Sequence, residues 1–319
     1  MNLQTGLLVV IVVLALLSLG LAARFFFGRR RAERLWASTR CEAIKDLGTV
    51  SHLTILPLID DQVAAEGLTP EAGVSYLIRA DEMTILFDAG MNRAGEHPSP
   101  LLRNMEKLGV TLEQIDAIVI SHLHLDHVGG FRYQRQRSFG LSAGPVALDG
   151  KRAFLPTDMT HPSAAVEVLE APRRLANGIA SLGPIPRQLF FFGWTLEQSL
   201  AIHVEGKGLV LIVGCGHPGI QRIVERAEKL FDLPIYAIIG GLHFPVTTKP
   251  IQRYVGTDNW PWNPANKQSV KSAIAELKKR SPRLLALSPH DSCDWSRAAF
   301  RQAFPAAYRE VRVGEALEM

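Results

Sequence analysis

Cysteine is scarce in this chain: Cys41, Cys215 and Cys293 are the only three among 319 residues. Three scattered thiols exclude a disulfide framework and agree with a reducing compartment. A charge excess is also missing from most of the chain. Of 35 Lys+Arg and 31 Asp+Glu, residues 1–34 hold five Arg and one Glu, which leaves 30 of each sign for residues 35–319. A body without net charge lacks the electrostatic footprint of a nucleic-acid binder, so no such partner is expected. Internal repeats and low-complexity tracts are absent beyond the N-terminus. The 285 residues from 35 onward suffice for one large domain with a substantial core.

Residues Thr5 to Ala23 are uncharged and apolar. Nineteen residues cross a hydrocarbon layer of roughly 30 Å as one helix. A secretory signal needs a positive segment ahead of the apolar one, and Met1 to Gln4 has none. Arg24, Arg29, Arg30, Arg31 and Arg34 follow at once. The positive-inside rule places that side in the cytoplasm, where the arginines meet anionic head groups. The reading is a single-pass membrane anchor and basic flank over 1–34, with a cleaved signal as the alternative. Residues 35–48 read as a linker or short helix ended by Gly48, and 49–319 as a catalytic domain facing the cytoplasm.

Chemistry concentrates in Ser121-His122-Leu123-His124-Leu125-Asp126-His127-Val128-Gly129-Gly130. Ala117 to Ile120 reads as a short buried strand, so the cluster begins where a strand ends. Open α/β sheets usually present their chemistry there. His122 and His124 alternate by two and would point the same way from extended backbone. Three imidazoles and a carboxylate are costly to bury without a cation, and they form a ligand set for zinc, or for manganese or iron.

Other segments repeat the placement. Strands are expected at Leu53–Leu56, Val74–Ile78, Thr84–Phe87 and Val146–Leu148, with Asp88-Ala89-Gly90 closing the third. Ser99 and Pro100 open a helix as N-cap and first residue, Gly109 ends it, and Thr111 with Gln114 forms a capping box. Apolar strands at Leu209–Val213, Ile235–Ile239 and Leu284–Leu287 run into Gly214-Cys215-Gly216-His217, Gly240-Gly241-Leu242-His243 and Ser288-Pro289-His290. Helices at Ile220–Phe231 and Lys267–Lys279 lie between them. One such His would more often be structural, but three at equivalent strand ends favour a shared site. The aromatic patch Phe190–Trp194 reads as core packing or as a wall of a substrate cleft. Residues Pro245 to Asn266, with Trp260 and Trp262, read as a lid over the site or a packed surface excursion. His52, His97 and His161 fit no strand-end pattern.

The motif Ser-His-x-His-x-Asp-His-x-Gly-Gly resembles the signature of the metallo-β-lactamase superfamily. That resemblance implies an α/β fold, an αββα sandwich with a one- or two-metal site at the sheet edge, here carrying an N-terminal transmembrane helix. Gly214–Ile220, Gly240–His243 and Pro289-His290, with Ile185–Arg187 and Glu197–Leu200, resemble the branch named for the dihydropterin–ribofuranosylaminobenzene phosphate synthase of methanopterin biosynthesis. Where that branch carries Cys-Thr-Gly after the last His, this chain has Asp291-Ser292-Cys293.

By resemblance, His122 and His124 bind a first metal, and Asp126, His127 and His290 a second. His217 is the choice for the remaining ligand of the first, with His203 a weaker candidate. Cys215 stands where most of the superfamily has a bridging Asp, and either bridges as a thiolate or lines the site. Asp88 either supports the ligand loop by a hydrogen bond or caps its own turn. His243 is expected at the cleft mouth as an acid or an anion partner. Two divalent ions, zinc before manganese or iron, would make a bound water a nucleophile, with Asp126 orienting it while ligating. The expected function is a hydrolase of a small-molecule ester, phosphoester or lactone. The alternatives are a transferase joining a dihydropterin-like substrate to an arylamine phosphate, and a non-catalytic metal-binding protein.

Overall fold

The computed structural model describes residues 3–39, 41–247 and 265–319. Residues 248–264 lie outside this description, and with them Trp260, Trp262 and most of the expected lid.

The chain opens with helix α1 (Leu3–Ser38), 36 residues long. Its apolar part stands clear of the domain, with Leu7 to Leu19 exposed. By length and composition it is long and apolar enough to cross a membrane. The helix does not stop with the basic flank but continues to Ser38. From Arg24 onward it touches the domain, and Phe25 and Ala32 are buried.

Two seven-stranded sheets follow. The first combines β1 (Leu53–Ile59), β2 (Ser75–Ala80), β3 (Met83–Phe87), β4 (Ala117–Val119), β5 (Arg152–Leu155) and β6 (Ala165–Val168). Helix α2 (Pro100–Lys107) and one 3-10 turn (Leu112–Gln114) connect β3 to β4, and α3 (Phe131–Gln136) follows the histidine loop. The second sheet combines β7 (Arg173–Ala176), β8 (Ile179–Ser181), β11 (Leu200–Val204), β12 (Gly208–Val213), β13 (Ile235–Gly240), β14 (Leu284–Leu287) and β15 (Tyr308–Glu310). A separate hairpin, β9 (Ile185–Leu189) and β10 (Gly193–Glu197), packs against α1. Helices α4 (Ile220–Leu230), α5 (Lys267–Lys278) and α6 (Asp294–Ala303) connect the later strands, and β16 (Leu317–Glu318) returns to pair with β1.

Strand alternation explains the layers. On β12, Val210 and Ile212 face the first sheet, while Leu209, Leu211 and Val213 face α4 and α5. On β1, Leu53 and Ile55 face inward, and Leu56 and Leu58 face α2. Both faces are therefore buried, which is why these strands read as continuous apolar runs. The result is the αββα sandwich.

Most expected elements form within a residue or two. Ser99 caps α2, its hydroxyl accepting from the Leu102 N–H at 3.2 Å, with Pro100 following. The expected strand at Val146–Leu148 does not form. The strand beside β4 is β5, at Arg152–Leu155, and Val146 and Leu148 only pack on the outer core. The Leu148 N–H bonds the Ser163 hydroxyl instead of a neighbouring strand. Three apolar residues cannot distinguish a strand from a packed loop.

Candidate metal centre

Register brings the strand ends together. Val213 pairs with Gly240, and Gly240 with Leu287, so β12, β13 and β14 finish at one level. Phe87 pairs with Val119 in the facing sheet. The next residues of each strand therefore meet at one edge of the sandwich. Gly129 and Gly130 turn the histidine loop back with φ of 87° and 112°. A Cβ on Gly129 would lie 1.9 Å from the Gly140 carbonyl oxygen, so no larger residue fits. Gly214 is equally constrained, because a Cβ there would meet the Ser121 hydroxyl at 2.3 Å.

Among the described residues, three donor groups share Cys215, two of them formed with the histidine loop. Asp126, His127, Cys215 and His290 present atoms within 4.8 Å of one another, and so do His122, Cys215 and His217. Cys215 is common to both. Its sulfur lies 3.0 Å from His127 Nε2 and 3.3 Å from His290 Nε2. His124 joins from the side, with its Nδ1 3.1 Å from His217 Nε2.

The hydrogen-bond network assigns the imidazole tautomers. Asp88 accepts from the Ser121 backbone N–H and from the Ser121 hydroxyl, each at 2.6 Å. The hydroxyl proton is thereby committed, so His122 Nδ1–H donates to Ser121 Oγ at 2.9 Å. His127 Nδ1–H donates to Asp88 Oδ2 at 2.7 Å. In the same way Ser288 donates to Asp60 at 2.7 Å, and His290 Nδ1–H donates to Ser288. All three rings turn their Nε2 toward the site. His122 Nε2 is buried without a hydrogen-bond partner. A buried ring nitrogen left bare in this setting fits a cation.

Electrostatics agree with that arrangement. Burial, with the neighbouring imidazoles, pushes His122 well below its usual range. Burial likewise takes His124 down to about 4 and His290 to about 3, so these rings are neutral ligands near pH 7. Burial also lowers His127, but Asp126 and Asp88 outweigh it and raise this imidazole to about 9. Those carboxylates thus hold a positive charge at the place where a metal ion would replace the proton. Burial pushes the Cys215 thiol well above its usual range. A coordinating metal would reverse that by deprotonating it.

Several participants carry no motif of their own. Glu197, buried at the end of β10, accepts from the Gly216 and His217 backbone N–H groups at 2.7 and 2.8 Å, fixing the turn that carries Cys215 and His217. Asp291 accepts from the His243 backbone N–H at 3.0 Å and, with Cys215 and His243, forms a third donor group. Asp60 and Ser288 hold His290. The signal for Asp291 and Ser288 was adjacency to His290. Glu197 opens the branch-like segment Glu197–Leu200, which carried no role of its own, and nothing local marked Asp60.

His243 adopts a left-handed backbone, φ 54°, and its ring lies 4.6 Å from that of His217. It borders two cavities. One, of 580 Å³, is lined by Asp61, His290 and Arg297 among others. The other, of 390 Å³, is lined by Arg187, His217 and Ser269 among others. His203 lies elsewhere, its Nδ1 2.9 Å from the Gly48 carbonyl oxygen, and takes no part. His97 meets Ser142, and His161 stacks on Phe139, both away from the centre.

Comparison with known proteins gives the same fold. The family model described as Metallo-beta-lactamase superfamily matches residues 68–148. The 7,8-dihydropterin-6-methyl-4-(beta-D-ribofuranosyl)-aminobenzene-5'-phosphate synthase of Methanocaldococcus jannaschii is 28% identical over 242 residues, covering 63% of this chain and 80% of that protein. Uncharacterized protein MJ0448 of the same organism is 29% identical over 217 residues, covering 59% and 79%. Among solved structures, Tm1679, described as a metal-dependent hydrolase of the beta-lactamase superfamily, superposes with a TM-score of 0.58 at 21% identity, covering 84% of this chain and 99% of that one. With its αββα sandwich, its strand-end histidines and these relatives, the chain has the metallo-β-lactamase fold, and its residues 68–148 match the model of that superfamily.

Proposed function

We propose that this protein is a binuclear metal-dependent hydrolase of an ester, phosphoester or lactone. One observation carries the reading: three imidazoles, each with Nδ1–H tied to an anchored oxygen, turn Nε2 toward a site shared by Cys215 and Asp126. Members of the superfamily typically use divalent metals. His122, His124 and His217 would hold one ion, Asp126, His127 and His290 the other, and Cys215 would lie between. When bound, the ions would acidify a water and polarise the substrate oxygen. Zinc suits the mixed nitrogen, sulfur and oxygen donors, with manganese or iron as alternatives.

The chain's own residues supply the rest. Asp88 and Ser121 hold His122 and His127 in one tautomer. Asp126, kept below the usual carboxylate range because His127, His290 and His124 outweigh its burial, stays an acceptor and orients the attacking water. His243, which borders both cavities, would donate a proton to the leaving oxygen. Arg187 lines the same cavity and would draw an anionic substrate group. The N-terminal helix would anchor residues 49–319 at the cytoplasmic face of a membrane through residues 1–34, with 35–48 as the connection.

A full-length preparation with its metals quantified, assayed on methyl 4-nitrophenyl phosphate and on a lactone, tests the reading. Turnover that disappears with the metal is expected, and a metal-replete protein inert on both would refute it. A transferase reading is favoured by one observation, the synthase name of the M. jannaschii relative. It predicts a product only when an arylamine phosphate is added as second substrate.

A further inference from the structure

The β9–β10 turn consists of three phenylalanines, and they face two ways. On one side, Phe190 packs edge-on against Phe25 of α1, with ring centroids 5.5 Å apart. Arg24 reaches the same turn, its guanidinium donating to the Phe190 and Phe191 carbonyl oxygens at 3.3 and 3.0 Å. Below them Gly28 lets the hairpin approach, since a Cβ there would lie 2.0 Å from Gln188 Oε1. On the other side, the Phe192 ring lies 4.9 Å from the ring of His124, and Thr195 of β10 reaches its Nε2 at 3.4 Å. One short turn thus links the candidate metal centre to the first helical residues after the apolar run.

The position along α1 decides what covers the turn. Arg24 is the first charge after Thr5–Ala23, and helical rise places it at the edge of the apolar span. A turn clamped to Arg24 and Phe25 lies at the same depth. Its tip is not covered by protein: Phe191 is 47% and Phe192 41% exposed. Phe27, one helical turn from Arg24, is 66% exposed. Exposed aromatics held beside Arg24, at the end of an uncharged apolar run, have the make-up of an interfacial membrane contact.

We propose that the Phe190–Phe192 turn is a lip set into the bilayer surface, and that the centre takes an amphiphile held in that surface, a lipid with an ester or phosphoester head group. The lip keeps the acyl chains in the membrane while the head group reaches past Phe192 to His124. Water adds across the ester or phosphoester bond, and the leaving alcohol takes the proton. The proposal rests on the hydrolase reading above and on α1 spanning the membrane.

Two measurements on the full chain in phosphatidylcholine–phosphatidylglycerol vesicles test it. In Phe191→Trp, the added emission is expected to be blue-shifted and quenched by lipids brominated near the head group. Emission at the wavelength of a water-exposed indole, unquenched, would overturn the lip. In the second, Phe191→Ser is compared with wild type on hexadecyl 4-nitrophenyl phosphate in the vesicles and on methyl 4-nitrophenyl phosphate in solution. A fall of about tenfold in kcat/KM is expected on the hexadecyl probe, as roughly half a Phe side chain leaves the apolar phase, with the methyl probe unchanged. Equal effects on the two probes, or none on either, would overturn the amphiphile proposal. Hydrolysis of neither probe by metal-loaded wild type would defeat the hydrolase reading instead, and the quenching still decides the lip.

Discussion

Cys215 touches both donor groups, so its replacement is the most informative change at the scale of one residue. A thiolate between two ions stabilises both, whereas a lining thiol stabilises neither. With Cys215 as the bridge, Cys215→Ser is expected to lower the metal content at both positions. His217→Ala is expected to leave about one metal per chain where wild type holds about two, on the two-metal logic. His243→Ala should keep its metal and lose roughly 100-fold in kcat, the lower range for a missing general acid. Elemental analysis beside kinetics reads all three, and full metal content in His217→Ala would send the ligand search to His243. Asp60 carries a separate prediction. Burial pushes this carboxyl from 3.8 up to about 7, against hydrogen bonds from Ser288 and the Asp61 N–H. The folded state therefore holds a proton that the unfolded chain has released. That contribution is fully present below pH 3.8 and is lost as pH rises toward about 7. Against Asp60→Asn, which cannot titrate, wild type should lose relative stability across that window, on the order of 4 kcal/mol at the limit. Urea denaturation of the metal-free pair at several pH values measures it, and a flat difference would contradict it.

Among the elements, α1 does more than supply an apolar run long enough to cross a membrane. Its last turns dock on α4 and on the β9–β10 hairpin through two different contacts, and their magnitudes separate them. Glu33 pairs with Arg222 at 2.5 Å and Arg187 at 3.5 Å, but its side chain is 44% exposed. Such a pair contributes about 1 kcal/mol or less. Trp36 is ringed by Arg222, Arg226 and Lys229 at 5.1, 4.9 and 5.3 Å, and packs on the core formed with α4. Losing that ring removes apolar burial and the cation contacts together, about 2–3 kcal/mol. Trp36→Ala should therefore loosen α1 far more than Glu33→Ala. Limited proteolysis between residues 39 and 48 would show it as faster cleavage, and similar rates in the two variants would not fit this contact map.

At the level of the whole molecule, the centre ties the two sheets together. His122 to His127 follow β4 of the first sheet, whereas Cys215, His217 and His290 follow β12 and β14 of the second. An unfolded chain cannot assemble donors so far apart in sequence, so metal binding would be coupled to folding. Free metal at a thousand times its Kd adds about 4 kcal/mol. Chelation should lower Tm by several degrees, and His290→Ala should shrink that difference. A Tm indifferent to chelator would mean that the donors do not hold metal in the folded state.

What the sequence alone determined is local. The helix caps at Ser99 and Thr111, the buried strands before each histidine and the uncharged run at the N-terminus follow from residue type and spacing over a few positions. The motif His122–His127 also lies on one loop, and Asp88 was legible as its neighbour. Contacts between distant segments were decided only by the tertiary structure. Glu197 supports His217, Asp60 supports His290 through Ser288, and Cys215 stands between two donor groups, because strand register sets which residues meet at the sheet edge. Phe190–Phe192 carries the same lesson: three aromatics in a row read equally well as core, and the clamp of Arg24 on their carbonyls places them at the end of the apolar helix. No local pattern encodes that clamp, since it joins residues 166 and 167 positions apart.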